Sequence, residues 1–208
     1  DEVVKFYGEG GGVDAEARAR AEQKYSALAR ERGVPAPATL RLGEVAGRFY
    51  TVSQRLPGSP CAEVSDEIWR EAGRMLGAFH TPVLTDGSPW REKWLAHCRS
   101  CAFKALEYPL DERDAQTLTS AASWLEAEAS PPRFTLLPMG ACHGDFSLRN
   151  VLCEGGRAVG LIDFELASQG NVELELARLS RAECAKKPDC AAAFFEGYRE
   201  SAYLAPGF

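Results

Sequence analysis

Apolar residues recur along this chain with two different periods, and each change of period marks an element. Val3-Val4-Lys5-Phe6-Tyr7 is a β-branched and aromatic run around one lysine, which predicts a strand with the lysine on its inner or open face. Gly8 to Gly12 follow as a loop, and Asp14 then offers an N-cap to a helix running to about Arg32, with Gly33 as its stop and Pro35 beyond. The apolar stripe of that helix is Ala17, Ala21, Tyr25 and Leu28, with Glu22 at its edge. Arg48 to Gly58 reads as an apolar strand closed by a Pro-Gly turn. From about Val64 the pattern is helical: Ile68-Trp69, Ala72, Met75-Leu76 and Phe79-His80 recur at steps of three and four, the mark of a buried helical face. Trp90, Trp94, Phe103, Leu106 and Tyr108 form a second series, and Leu118, Ala122, Trp124 and Leu125 a third. Both read as core, and Pro131-Pro132 breaks the last helix.

Beyond that break the period returns to a strand type. Val151-Leu152-Cys153 and Ala158-Val159-Gly160-Leu161-Ile162 flank Glu154-Gly155-Gly156-Arg157, and two apolar runs around a Gly-Gly pair predict a β-hairpin. With the glycines as the turn, Asn150 comes opposite Leu161, give or take a residue, so Asn150 and Asp163 become neighbours at the open end. Asp145 lies on the loop entering the hairpin. Ala167 to Asn171 reads as a polar turn, followed by a helix from Glu173 to about Cys184. A last helix runs from Ala191 to Tyr203, and the chain ends at Pro206-Gly207-Phe208.

Composition narrows the function classes. The 208 residues are 45% hydrophobic and carry a net charge of −6, which argues against non-specific nucleic-acid binding, since that needs a basic surface. No run of eighteen apolar residues and no signal peptide are present, so a cytoplasmic, non-membrane protein is expected. The 7 cysteines (Cys61, Cys98, Cys101, Cys142, Cys153, Cys184, Cys190) are an odd, scattered set that reads as free thiols in a reducing compartment. His97-Cys98-Arg99-Ser100-Cys101 has half of a zinc spacing, but it has no second pair and lies in a helical segment.

The chemistry concentrates in His143-Gly144-Asp145-Phe146-Ser147-Leu148-Arg149-Asn150 and Leu161-Ile162-Asp163-Phe164-Glu165. Phosphoryl transfer needs a carboxylate to orient a hydroxyl, and carboxylate and amide oxygens to hold magnesium. This segment supplies all three, although an Asp and an Asn beside a hairpin also occur as plain turn formers. The run Gly8-Glu9-Gly10-Gly11-Gly12 is not a phosphate loop, because no Gly-Lys-Ser/Thr ending leads into a helix.

His-Gly-Asp-x4-Asn followed by Ile-Asp-x-Glu resembles the aminoglycoside phosphotransferase and choline kinase family, small-molecule relatives of protein kinases. The resemblance implies an α+β, two-lobed protein-kinase-like fold. Residues 1–56 would form a small antiparallel-sheet N-lobe and residues 57–208 a mainly helical C-lobe. Asp145 would be the catalytic base or orienter, Asn150 and Asp163 the metal ligands, and His143 a residue bracing the loop. Lys5 and Glu22 would be the ion pair that sets a lysine on the nucleotide phosphates. Gln54, Arg55 and Leu56 would be the hinge that reads the base, with Ser53 at the gate of its pocket, and His80 would be structural. Kinase-like folds place a glycine-rich hairpin before the lysine strand. Only Asp1 to Val4 precede Lys5 here, and residue 1 is not methionine, so the N-lobe is expected to lack its first strands or the numbering to begin after them.

The implied activity is transfer of the γ-phosphoryl group of ATP or GTP, with Mg2+, to a hydroxyl of an antibiotic or a metabolite such as choline, homoserine or a sugar. Glu165, Glu173 and Glu175 form an acidic group beside the site that would suit a cationic acceptor, although the helix macrodipole accounts for the last two equally well. Glu175-Leu176-Ala177 stands where the family has Asp-Leu-Ala, one methylene shorter. The competing class is a non-catalytic nucleotide-binding or interaction module on the same fold.

Overall fold

The computed structural model describes residues 1–8, 14–61, 65–128, 136–182, 184–186 and 188–204. Most of the Gly8–Gly12 loop, the Pro131-Pro132 break and the Pro206-Gly207-Phe208 end lie outside the described residues. The chain divides into two compact units, one of Asp1–Pro82 with Gly140–Phe208 and the other of Val83–Met139.

The first unit opens with strand β1 (Glu2–Phe6) and helix α1 (Ala15–Glu31). Asp14 caps the helix, its Oδ1 accepting from the Ala17 N–H at 2.7 Å. The buried stripe of α1 is Ala19, Glu22, Tyr25, Ser26 and Ala29, while Ala17 is exposed. The expected stripe is therefore rotated, and Glu22 sits in its middle instead of at its edge. Alanines carry little directional signal, and the partly buried Lys5 ammonium facing Glu22 outweighs them. Next come β2 (Thr39–Val45) and β3 (Arg48–Gln54), which with β1 form an antiparallel sheet in the order β1-β3-β2. Val3 lies opposite Ser53 and Lys5 opposite Thr51, so the two-residue period puts all four on one face. A two-residue strand β4 (Ser59–Pro60) leads to α2 (Asp66–His80), capped by Ser65. On α2 Ile68, Trp69, Ala72, Leu76, Phe79 and His80 are buried, as the period requires.

The second unit contains strand β5 (Val83–Asp86), helices α3 (Ser88–Leu106) and α4 (Glu112–Glu128), and the first residues of β6 (Leu136–Cys142). β5 and β6 pair antiparallel from Val83↔Met139 to Asp86↔Leu136, which corrects the expectation of helices alone between Val64 and the catalytic loop. His97-Cys98-Arg99-Ser100-Cys101 lies within α3. Phe103, Tyr108 and Trp124, expected in the core, are 70%, 72% and 61% exposed, because each helix of a two-helix layer covers only one side of the other.

The chain then returns to the first unit with the hairpin β7 (Val151–Glu154) and β8 (Arg157–Leu161). Both turn glycines are left-handed, with φ of 58° at Gly155 and 80° at Gly156. Val151 pairs with Leu161, and the Ile162 N–H donates to the Asn150 carbonyl at 2.9 Å, one residue from the expected register. The expected polar turn at 167–171 contains a strand, β9 (Ser168–Asn171), followed by α5 (Val172–Ala182) and, past a turn, α6 (Pro188–Ser201). Glu71 of α2 braces the hairpin, accepting from Arg157 Nε and the Ala158 N–H, each at 2.7 Å. Trp69 packs edge-on to Phe194, and Phe79 to Phe164, at 6.0 and 5.3 Å between ring centroids. Each of these four rings is at most 1% exposed, and burying one contributes about 1.5–3 kcal/mol. Phe164 directly follows Asp163, so core packing pins the loop that presents this carboxylate.

β4 pairs with β7, Ser59 opposite Cys153, and Cys61 and Cys153 form a disulfide with Cα atoms 5.2 Å apart. The expectation that all seven cysteines are free thiols is thereby corrected: strand pairing unites two residues 92 positions apart, which no local spacing reveals. Among the described residues no helix is long and apolar enough to cross a membrane.

Candidate active site

β6 delivers His143-Gly144-Asp145 into a loop that a single 3-10 turn (Leu148–Asn150) joins to β7. Gly144 has φ +84°, and a Cβ there would collide with the Leu166 carbonyl oxygen, so the loop needs glycine at this point. The Asp145 carboxylate is partly exposed, and Arg149 Nη2 donates to its two oxygens at 2.9 and 2.8 Å. Asn150 is buried, and its Nδ2 donates to the Asp145 backbone carbonyl at 2.9 Å, which leaves Oδ1 as the open end of the amide. Asp163 adopts a left-handed backbone, φ 72° and ψ 55°, at the start of the short turn Phe164–Leu166. A non-glycine residue held in that region marks a position whose surroundings dictate its conformation.

Glu175 anchors this loop from α5. Its Oε2 accepts from the His143 N–H at 2.8 Å and its Oε1 from the Gly144 N–H at 2.6 Å. His80 Nε2 lies 2.8 Å from the same carboxylate, and His80 Nδ1 lies 2.8 Å from the Tyr198 hydroxyl. Burial pushes the Glu175 carboxyl upward, but the bonds from His80 and His143 prevail and hold it below the usual carboxylate range. Glu175, standing where the family has the shorter Asp of Asp-Leu-Ala, thus anchors the loop through the His143 and Gly144 N–H groups. Glu175→Ala would strand a buried imidazole and two buried N–H groups, and is expected to cost about 3–5 kcal/mol in urea unfolding. Glu175→Gln, which keeps one acceptor oxygen, should lose distinctly less; equal losses would contradict the anchoring role.

His143 braces from the other side, with Nε2 2.9 Å from the Ile162 carbonyl oxygen. Burial holds the imidazole below its ordinary value of 6.5, so it is neutral in the folded protein. Below that value the unfolded chain binds the extra proton and the folded chain does not. Stability should therefore be full above about pH 6.5 and fall as the pH drops below it. A Tm series from pH 8 to 5 reads the effect, which should shrink in His143→Gln; a flat profile would contradict it.

Lys5, Glu22, Ser53, Gln54, Arg55, Leu56 and Asp163, the residues expected around a nucleotide, all line one cavity of about 470 Å3. That volume lies within the range of small-molecule and cofactor sites. Lys5 Nζ is 3.1 Å from Glu22 Oε2 and 2.8 Å from Glu165 Oε2, and it also pairs with Asp163. Burial disfavours the ammonium, but Glu22 and the other two carboxylates hold Lys5 above the usual lysine range. Burial also raises the Glu22 carboxyl, against the pull of Lys5. The Gln54 and Arg55 N–H groups are already used, donating to the Ala38 and Asp1 carbonyls at 2.9 and 3.1 Å.

The three acidic residues expected around the acceptor are placed differently from one another. Glu165 faces Lys5 and Arg18, Glu175 is buried under the His143–Asn150 loop, and Glu173 is half-buried at the start of α5, where its N–H donates to Asn171 Oδ1 at 2.8 Å. Burial raises the Glu173 carboxyl. The structure does not gather the three at one spot. Sequence reading missed Thr51, Leu152 and Ile162 in the cavity wall, and Arg18, whose guanidinium lies 3.6 Å from Glu165. Thr51 was findable, because it lies two residues before Ser53 on the same strand face. Arg18 was findable too, one helical turn before Glu22.

A family model described as the phosphotransferase enzyme family matches residues 1–207. Among solved structures, an aminoglycoside-3'-phosphotransferase of type VIII is 19% identical with a TM-score of 0.67, covering 99% of this chain and 80% of its own. A macrolide 2'-phosphotransferase from Brachybacterium faecium is 16% identical with a TM-score of 0.65, covering 99% of this chain and 71% of its own. An aminoglycoside phosphotransferase from Streptomyces rimosus, solved with ADP and streptomycin, is 16% identical with a TM-score of 0.61, covering 98% of this chain and 81% of its own. These likenesses establish a shared, protein-kinase-like fold. No curated protein matches the chain.

Proposed function

Because this chain belongs to the phosphotransferase enzyme family, we propose that it is a small-molecule kinase that moves the γ-phosphoryl group of a nucleoside triphosphate to a hydroxyl of an antibiotic or related metabolite. The observation that carries this reading is the convergence of the lysine strand, the hinge and Asp163 on one cavity, with Asp145 and Asn150 on the adjoining loop. Lys5 would exchange its Asp163 and Glu165 contacts for phosphate oxygens while Glu22 keeps it in place. Thr51, Ser53 and Leu152 would enclose the base, and Gln54, Arg55 and Leu56 would border it. Asp145 would accept the hydroxyl hydrogen bond and orient the oxygen for in-line attack.

A magnesium ion fits the residues present. Asn150 Oδ1 and the Asp163 carboxylate are hard oxygen donors. Magnesium is commonly held by one or two such side chains together with substrate phosphates. When bound, magnesium would neutralise phosphate charge. Neighbours of the fold were solved with ADP and streptomycin and with ADP and spectinomycin, which supports a nucleotide donor and a small hydroxylated acceptor here. The donor is tested by calorimetric titration of ATP and GTP with and without magnesium. Magnesium-dependent binding that weakens in Lys5→Ala is expected. Absence of binding by either nucleotide would favour a non-catalytic interaction module.

A further inference from the structure

A second cavity, of about 210 Å3, opens beside Asp145 on the side of α5. Four ionisable side chains line it: Asp145, Arg149, Glu175 and Arg178. Neither carboxylate is placed to hold a cationic group, Asp145 being left to the reacting hydroxyl. Glu175 turns inward and is spent on His80 and the His143 and Gly144 N–H groups. Asp145 shares both oxygens with Arg149 Nη2. Arg178, in contrast, stands on the exposed side of α5 and makes no ion pair among the described residues. The charge that faces into this cavity is therefore cationic.

A second observation points to a ligand. Ser147 is only 8% exposed, lines the same cavity, and its Oγ finds no hydrogen-bond partner among the described residues. A buried hydroxyl left unsatisfied is costly, so a group that accepts from it is missing. The partner that suits a buried O–H donor and an exposed guanidinium together is an oxyanion, for which arginine offers paired N–H donors. An ammonium would meet two guanidinium groups here and no uncommitted carboxylate.

The geometry points to an acceptor-side oxyanion subsite built from Ser147 Oγ and Arg178, so that the molecule phosphorylated by this chain carries a carboxylate or phosphate group close to the reacting hydroxyl. This rests on the small-molecule kinase reading, and it reverses the expectation of a cationic acceptor drawn from the acidic residues nearby. Arg149 remains on Asp145 and adds to the positive field of the wall.

Three small hydroxyl compounds that differ mainly in charge serve as probes: D-glycerate, glycerol and serinol. The full chain is first titrated with magnesium-ADP. Each probe is then added at matched ionic strength while the 15N signals of the arginine side chains are followed. Glycerate should shift the Arg178 signal saturably, and glycerol and serinol should not. Arg178→Ala is expected to raise the glycerate Kd about ten-fold, as loss of one charge-assisted contact does, and Ser147→Ala to raise it a few-fold. Arg178→Lys should restore part of the affinity. Serinol binding as well as glycerate, no saturable glycerate shift, or a glycerate Kd unchanged in both alanine variants would overturn the subsite. Failure of magnesium-ADP to bind would instead overturn the kinase reading, and the subsite with it.

Discussion

Asp145→Asn should bind magnesium-nucleotide as the wild type does and transfer phosphoryl roughly a hundred to ten thousand times more slowly, the usual range for loss of a general base. The amide has the same shape as the carboxylate but a poorer acceptor and an added donor, so the hydroxyl loses the group that orients it. The surrounding loop should survive. Asn150 Nδ2 is held by the backbone carbonyl of residue 145, which the substitution keeps, and Glu175 anchors positions 143 and 144 independently. Arg149 loses an ion pair whose side chains are 69% and 38% exposed, and such pairs contribute little to stability. The measurement is kcat beside nucleotide Kd for the purified variant. Full kcat would remove Asp145 from the mechanism, and a lost Kd would show that it serves binding instead.

Asp163→Asn is the second large effect. Magnesium-nucleotide affinity should fall by more than the roughly 10- to 100-fold that loss of a second-shell partner costs a metal site, and the residual binding should no longer depend on magnesium. Asparagine is the informative choice because residue 163 sits at φ 72°, ψ 55°, a conformation that Asn tolerates and most residues do not. Alanine would mix backbone strain with loss of the ligand. Lys5 keeps Glu22 and Glu165 in the variant, so its position should be preserved. Calorimetry with and without magnesium reads the change. An affinity equal to the wild type in both conditions would take Asp163 out of the metal site.

Local signals carried the parts of this fold that are short in range. The Gly155-Gly156 turn with apolar runs on both sides located the hairpin and, through it, the meeting of Asn150 and Asp163 to within one residue. Asp14 marked the start of α1 because capping is a matter of three residues. Elements whose partners are distant were illegible. β2 mixes Arg41, Gly43 and Glu44 with Leu40 and Leu42, and it is a strand because β3 folds back onto it. β9, Ser168–Asn171, has no apolar signal at all. Cys61 and Cys153 meet only because β4 pairs with β7.

The site divides in the same way. The motif residues could be singled out because their chemistry and spacing are confined to one short segment, and the Lys5–Glu22 ion pair because the family resemblance pairs a strand lysine with a helix carboxylate. Glu175 was legible only through the resemblance, as the residue standing where the family has the Asp of Asp-Leu-Ala. Taken alone it is a helix-start carboxylate that the macrodipole already explains, and nothing local says that its oxygens hold the backbone of residues 143 and 144. Arg149 and Arg178 were passed over for a related reason: charged residues on exposed turns and helix faces look alike until a cavity is seen between them.

Phosphoryl transfer itself can be measured directly. The protein would be incubated with magnesium, ATP or GTP, and a pool of hydroxylated antibiotics and metabolites, and the pool read by mass spectrometry beside an Asp145→Asn control. A compound in the pool should gain one phosphoryl group, and the product should be lost in the control. No phosphorylated compound with either nucleotide, or equal product from Asp145→Asn, would contradict the small-molecule kinase reading.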